Sequence, residues 1–211
     1  MRLAIIGTGN VAETLTRALI KAHHDVVLGS RDPQHALPWA AQLAVPVQIQ
    51  TPAQAARGTD LVINATPGAV SVEAFTAIDS SALDGKVLVD VANAVVPRGE
   101  GVALVYPNGS LGEELQKALP PVRVVKTLNT MSAGVMTDPE PSPHPRRSSS
   151  PATSQRQADG RRSPRRPRLA ADSLIDLGGI AAARGPEHAF HLLGALFGAL
   201  GTPRLNFAII R

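Results

Sequence analysis

The chain contains no cysteine, so disulfide bridges, thiolate metal ligands and thiol nucleophiles are excluded. Aromatic residues make up only 3% of its 211 residues, too few for a surface that stacks nucleic-acid bases. No apolar run approaches the ~18 residues that a membrane span needs. The chain enters an apolar stretch at Leu3, which leaves no room for a signal peptide ahead of it. These absences point to a soluble protein of the cytoplasm, with neither membrane nor nucleic acid as partner. Convincing nucleophile–base–acid triads are lacking as well. His188 and His191 are an i, i+3 pair, but with no cysteine or clear third ligand beside them no metal site is expected.

The length suits one medium domain, or one domain with a small appendage. A pI near 10.1 suggests a polyanion as partner, but the basic charge is local. Residues 139–170 hold eight arginines against Glu140 and Asp159 alone. With the whole chain at +4, the remainder is mildly acidic.

What is present begins with Leu3 to Ala12, L-A-I-I-G-T-G-N-V-A. Leu3 to Ile6 reads as a short buried strand, and Glu13 to Ala22 carries Leu15, Leu19 and Ile20 at helical spacing. Between them Gly7, Gly9 and Ala12 stand at the G-x-G-x-x-A spacing of a dinucleotide-binding turn. Gly7 takes the tight turn and Gly9 lets the backbone approach a pyrophosphate. The phosphates are expected over Gly7, Thr8, Gly9, Asn10 and Val11, at the positive end of the helix dipole. A second strand, Asp25 to Leu28, leads to Ser30 and Arg31. That is the position, roughly 20 residues past the glycines, from which the ribose is read. An acid there would bind the ribose hydroxyls of NAD. A hydroxyl and a guanidinium suit a 2′-phosphate, so the cofactor is expected to be NADP.

Further along, the pattern predicts a helix over His35 to Leu43, a strand over Val45 to Ile49, and a helix capped by Thr51 with Pro52 at its first position. Asp60 to Ala65 is an apolar central strand that runs into Thr66-Pro67-Gly68, with a helix over Val70 to Ile78. Lys86 to Val91 is the next strand and ends at Ala92-Asn93. Ser110 to Glu113 opens a helix to Leu119. Val122 to Leu128 is one more strand, ending at Asn129-Thr130. This alternation predicts an α/β fold with a doubly wound, mostly parallel sheet. Structure-like sequence resumes at Asp172. It reads as a strand over Ser173 to Leu177, a loop over 180–186, a helix over Glu187 to Leu200 and a last strand over Leu205 to Ile210.

Ser142 to Arg168 has no Val, Ile, Leu, Phe, Tyr, Trp or Met, cannot bury apolar surface and is expected to be disordered. One functional reading is a basic interaction tail. The pattern points instead to translation out of frame. With CGN arginine and TCN serine codons, Arg147 to Ser154 conceals a shifted frame in which each junction entering a serine reads N-T-C. Such codons specify only Phe, Leu, Ile or Val, so the shifted frame spells a buried strand followed by a turn. The remaining frame over Arg162 to Ala170 permits a helix end. The chain thus divides into a dinucleotide-binding domain at 1–138, an aberrant segment at 139–171, and a strand-helix-strand element at 172–211.

The motifs G-T-G-N-V-A, G-S-R-D-P, D-x-x-N at Asp90 to Asn93, V-V-K-T-L-N-T at Val124 to Thr130 and A-R-G-P-E at Ala183 to Glu187 resemble the deazaflavin-dependent NADP reductases. The resemblance covers 1–137 and 172–211. It implies a Rossmann-like domain with a small C-terminal helical element, often dimeric, and hydride exchange between NADPH and the 5-deazaflavin coenzyme F420. Residue by residue, it implies that Thr8, Ser30 and Arg31 contact the 2′-phosphate. It also implies that Thr66, Pro67, Ala92 and Asn93 line the nicotinamide side. The acceptor ring is expected across an opening bounded by Asn129, Thr130 and a loop from Met131 to Met136, although both methionines also suit ordinary packing. Such a transfer requires positioning and no catalytic acid or base. The alternatives are a non-catalytic NADP(H) sensor and an imine reductase of the pyrroline-5-carboxylate type, for which the 40 residues after 171 are too few to supply the usual helical dimerisation domain.

Resequencing the gene across codons 147–154 is expected to reveal a one-base slip. An unbroken frame encoding the same arginines overturns that reading.

Overall fold

Strands of three to five residues pair side by side, with every neighbour in the main sheet parallel. In chain order the strands are β1 (Arg2–Ile6), β2 (Asp25–Gly29), β3 (Gln48–Gln50), β4 (Leu61–Asn64), β5 (Val87–Asp90), β6 (Val95–Arg98), β7 (Gly101–Leu104) and β8 (Arg123–Lys126). Six of them form one sheet in the order β3-β2-β1-β4-β5-β8, while β6 and β7 form a separate antiparallel hairpin. The computed structural model describes residues 1–32, 38–99, 101–138 and 175–207. The chain winds outward from β1 to β3, then returns to β4 on the other side of β1. This is the doubly wound arrangement expected from the sequence, with its topological switch point between β1 and β4.

The helices are α1 (Asn10–Lys21), α2 (Pro52–Arg57), α3 (Gly68–Thr76), α4 (Leu111–Ala118), α5 (Ala133–Thr137), α6 (Arg184–His188) and α7 (Phe190–Leu200). Successive residues of a strand point to opposite faces, so a sheet covered on both sides needs apolar residues in both registers. Ala4 and Ile6 of β1 pack with Phe75, Leu88, Leu111 and Leu115 on one face. Ile5 packs with Ala12, Leu15, Leu28 and Met136 on the other. Thr51 caps α2 as expected, in a reciprocal capping box with Gln54. Ser110 caps α4 by accepting the Glu113 amide at 3.1 Å. Arg184 grips Glu113 through two bonds of 2.8 and 2.7 Å and ties α6 to the first turn of α4. Those Arg184 bonds, ahead of the Ser110 contacts, hold the Glu113 carboxyl below the usual value.

Several elements differ from the expectation. The helix expected over His35 to Leu43 is only a 3-10 turn at Ala40–Gln42, and its first residues lie outside the described ones. Pro38 lacks the amide that a helix needs there. The strand expected at Val45 begins only at Gln48, beyond Pro46. The β6–β7 hairpin is not among the expected elements, because Pro97 masks the strand signal and only edge positions tolerate it. The 180–186 loop is a 3-10 turn at Ile180–Ala183 running into α6. The C-terminal element is not strand-helix-strand among the described residues. Ile175 to Leu177 is irregular, and the Asp176 carboxylate accepts the Gly178 amide at 2.8 Å, a local bond that competes with a strand ladder. Leu205 to Phe207 is likewise irregular, and the rest of that expected strand lies outside the described residues. The expectations for 139–171, disorder and a shifted frame, lie outside them too. Among the described residues no helix is long and apolar enough to cross a membrane.

Gly68 opens α3 directly beneath the β5 exit. A Cβ there would overlap the Asn93 carbonyl oxygen, so the backbones approach as closely as glycine allows. Gly68→Ala is expected to cost about 1–3 kcal/mol of stability by overpacking. Thermal or urea unfolding checks this, and an unchanged transition contradicts the close approach.

Candidate active site

The carboxyl ends of the central strands fall in one row. Gly29, Ile6, Asn64, Asp90 and Lys126 are register neighbours across β2, β1, β4, β5 and β8. The segments singled out in the sequence follow these ends, so the fold delivers them side by side to the edge where open α/β sheets bind ligands.

Gly7 sits at φ 124°, and a Cβ there would overlap the Ala65 carbonyl oxygen. Its amide donates to the Gly29 carbonyl at 3.1 Å, which anchors the turn beside Ser30. Gly9 is the N-cap of α1 and provides no side-chain cap. A Cβ at Gly9 meets nothing within 4 Å. The first amides of α1, at Asn10 and Val11, therefore face an open approach, as an anion requires. Thr8 is half-buried, and its carbonyl accepts the Trp39 indole N–H at 3.4 Å. Ser30 is fixed by its amide on the Gln50 carbonyl at 2.9 Å, and its hydroxyl accepts the Asp32 amide at 3.2 Å. Arg31 is exposed at the same edge. An uncapped helix N-terminus, an open cradle at Gly9 and a guanidinium one strand away fit a pyrophosphate with a ribose phosphate beyond it.

Thr66 and Pro67 end β4. The Thr66 hydroxyl is turned inward, donating to Asn64 Oδ1 at 2.7 Å and lying 2.7 Å from Ser71 Oγ. Thr66 therefore shapes the turn, and its hydroxyl is already engaged by neighbours. Ala92 is buried and Asn93 half-buried. Asn93 Nδ2 donates to the Asn129 carbonyl, and Asn129 Nδ2 donates to Asn93 Oδ1, both at 2.9 Å. A residue expected on the cofactor side and one expected on the acceptor side thus hold each other. Asn129 Nδ2 also donates to the Pro186 carbonyl at 3.0 Å. Leu128, one residue before, is at φ 61°, a conformation that costs a branched side chain about 1–3 kcal/mol unless its surroundings impose it.

Thr130 and Met131 are half-buried. With Asn129 they line a cavity of about 790 Å³ beside β8, whose other wall includes Ile175, Leu177 and Phe207. Met136 does not join them. The stretch expected as a loop ends in α5, which packs on α1 and buries Met136 against Ile5, Ala12 and Leu15. Met136 is a core residue of that face, in line with the packing alternative.

Sequence reasoning assigns no role to the polar residues beneath these turns. Asn64, Ser71, Asp90 and Glu187 are all buried. Asn64 Nδ2 donates to Ser71 Oγ at 3.0 Å and to Asp90 Oδ1 at 2.9 Å. Lys126 Nζ lies 2.8 Å from Asp90 Oδ2 and 3.0 Å from Glu187 Oε1. The signal for them is the end of each apolar run, where β4, β5 and β8 finish on Asn, Asp and Lys. Above the network, Tyr106 has its hydroxyl pushed up by burial first and then by Glu114 and Glu187. Among the described residues no group of three or more His, Asp or Glu is placed to hold a metal ion.

A family model described as NADP oxidoreductase, coenzyme F420-dependent, matches residues 2–94. A crystal structure assigned as an F420-dependent NADP reductase from Arthrobacter sp. FB24 is 34% identical, with 100% of each chain covered and a TM-score of 0.80. A hypothetical protein from Sinorhizobium meliloti is 24% identical over 65% of each chain, with a TM-score of 0.56, a likeness of fold alone. An imine reductase from Pseudomonas sp. is more distant, at 17% identity over 59% of this chain and 40% of the other, with a TM-score of 0.46. No curated protein matches the chain. With a Rossmann-like sheet and a full-length relative at this identity, the chain belongs to the coenzyme F420-dependent NADP oxidoreductases and is an NADP-dependent oxidoreductase.

Proposed function

We propose that this oxidoreductase exchanges a hydride between NADPH and the ring of a 5-deazaflavin coenzyme. One observation carries the choice of acceptor. The charged side chains beneath the turns, Asp90, Lys126 and Glu187, are buried and bonded to one another. None is left over to give or take a proton at the strand ends. Reduction of a neutral imine needs a proton delivered to nitrogen as well as a hydride. Hydride transfer to a deazaflavin ring leaves charge that the ring delocalises over its N1–C2 carbonyl and that solvent protonates afterwards, so the transfer itself needs only that the two rings be held together. Family membership supports the same acceptor.

In this reading each residue has a positioning role. The amides from Gly7 to Val11 hold the pyrophosphate. Thr8, Ser30 and Arg31 take the 2′-phosphate. The turns Thr66-Pro67 and Ala92-Asn93 support the nicotinamide. Asn129, Thr130 and Met131 border the acceptor. Bound together, the reduced nicotinamide supplies the hydride and the deazaflavin ring takes it.

The direct test follows NADPH oxidation with a deazaflavin, with flavin mononucleotide and with a cyclic imine. Turnover with the deazaflavin alone is expected. Turnover with the imine but not the deazaflavin overturns the acceptor, and no oxidation with any of them favours a sensor. Arg31→Ala removes a charge-assisted phosphate contact of about 1.5–3 kcal/mol, so NADPH affinity is expected to fall about tenfold to a hundredfold while NADH binding barely changes. Equal losses for both cofactors contradict the role of Arg31. Trp39 is the single tryptophan and touches Thr8, so its quenching by reduced nicotinamide reports binding. Gly9→Ala meets no neighbour and is expected to lower the melting temperature only slightly, by the cost of alanine at an N-cap. Its methyl group fills the phosphate approach, so NADPH quenching of Trp39 is expected to weaken by at least about tenfold.

A further inference from the structure

We infer that Lys126 is a positioning residue for hydride transfer, clamping the Ala92–Asn93 turn through the Ala92 backbone. The inference rests on the proposal that this turn supports the nicotinamide. An ammonium group has three N–H donors and no acceptor. Lys126 donates to Asp90 Oδ2 and to the Ala92 carbonyl, and its charge is paired with Glu187 Oε1 at 3.0 Å. Asp90 Oδ1 in turn accepts the Ala92 amide at 3.1 Å and Asn64 Nδ2 at 2.9 Å. One ion pair therefore holds both the N–H and the C=O of a single residue. The neighbouring carbonyl, that of Asn93, is pressed against Gly68 from the other side.

Burial makes the arrangement costly to disturb. The Lys126 side chain is 3% exposed, and those of Asp90 and Glu187 are 0% and 4% exposed. Two carboxylates face one ammonium, and the imbalance is offset at the start of α4. Glu187 accepts the Leu111 and Gly112 amides there at 2.7 and 3.0 Å. The acid from the C-terminal segment is thus stabilised by a helix terminus, and it remains so without Lys126. A purely structural role would be served as well by an apolar side chain of similar volume. An apolar side chain cannot donate to the Ala92 carbonyl. A shift of about 1 Å at a positioning contact can cost a hundredfold in rate.

Two variants separate the roles. Lys126→Met strands Asp90 and is expected to lower both the melting temperature and kcat. In the double variant Asp90→Asn/Lys126→Met, the carboxamide oxygen that replaces Asp90 Oδ1 can still accept the Ala92 and Asn64 donors, and Glu187 keeps the α4 amides. Its melting temperature is expected to rise clearly above that of Lys126→Met, short of wild type by the cost of the unpaired Ala92 carbonyl, with the NADPH dissociation constant within about threefold by Trp39 quenching. With the deazaflavin acceptor its kcat is expected to stay at least about tenfold below wild type. The emission of bound NADPH, brightened when the nicotinamide is immobilised, is expected to fall toward that of free NADPH. Recovery of kcat and emission together with stability overturns the inference. So does failure of both variants to fold, which makes the lysine a folding requirement alone. If the wild type does not use the deazaflavin, the proposed acceptor falls, while nicotinamide emission, which needs no acceptor, still decides the role of Lys126.

Discussion

The structure depends on one buried ammonium. Lys126 sits among Asp90, Glu187 and the Ala92 carbonyl, where removing charge from water costs several kcal/mol per ion. The cost is bearable because the ammonium donates to two partners, pairs with two acids, and the second acid rests on the positive end of α4. The contact joins parts of the chain that otherwise share little. Asp90 and Lys126 end adjacent strands, Ala92 follows the end of β5, and Glu187 arrives from α6, far along the chain. Asn129 adds a neutral strut between the same regions, from Asn93 to Pro186.

This economy of charge explains why a site for redox chemistry looks chemically bare. The two acids and the lysine near the strand ends are buried and paired, and the excess negative charge is met by the first amides of α4. Amides at Gly7 to Val11, the Ala92 peptide and the paired carboxamides of Asn93 and Asn129 shape the edge. Such groups orient flat molecules without competing for protons. The cofactor brings the reactivity, and the protein contributes rigidity.

Most of this is legible from residue order where local physics decides. The glycine turn, Ser30-Arg31, the Thr51 cap and the central strands all follow from short-range rules, and each stands where the sequence places it. Several of the failures share a cause. Pro38, Pro46 and Pro97 blur element boundaries, since proline is tolerated or excluded according to which neighbour the strand or turn finds. Met136 is ambiguous because a methionine suits a core and a pocket equally, and only the turn of α5 decides. The polar network is the hardest to foresee. Asn64, Asp90 and Lys126 become neighbours only through register, which no local pattern encodes.

Register also links these charges to the route by which the sheet forms. Runs such as Val-Leu-Val in β5 and Val-Val in β8 pair almost equally well one position out of step, and parallel strands assemble slowly through long crossovers. A slip of one residue would turn Lys126 to the opposite face and leave Asp90 without its cation. The aliphatic residues alone barely distinguish the two pairings, whereas the unpaired charges penalise the wrong one heavily. Asp90 and Lys126, which help to hold the finished turn, therefore also act as a spelling check on β5 and β8, penalising misaligned sheets.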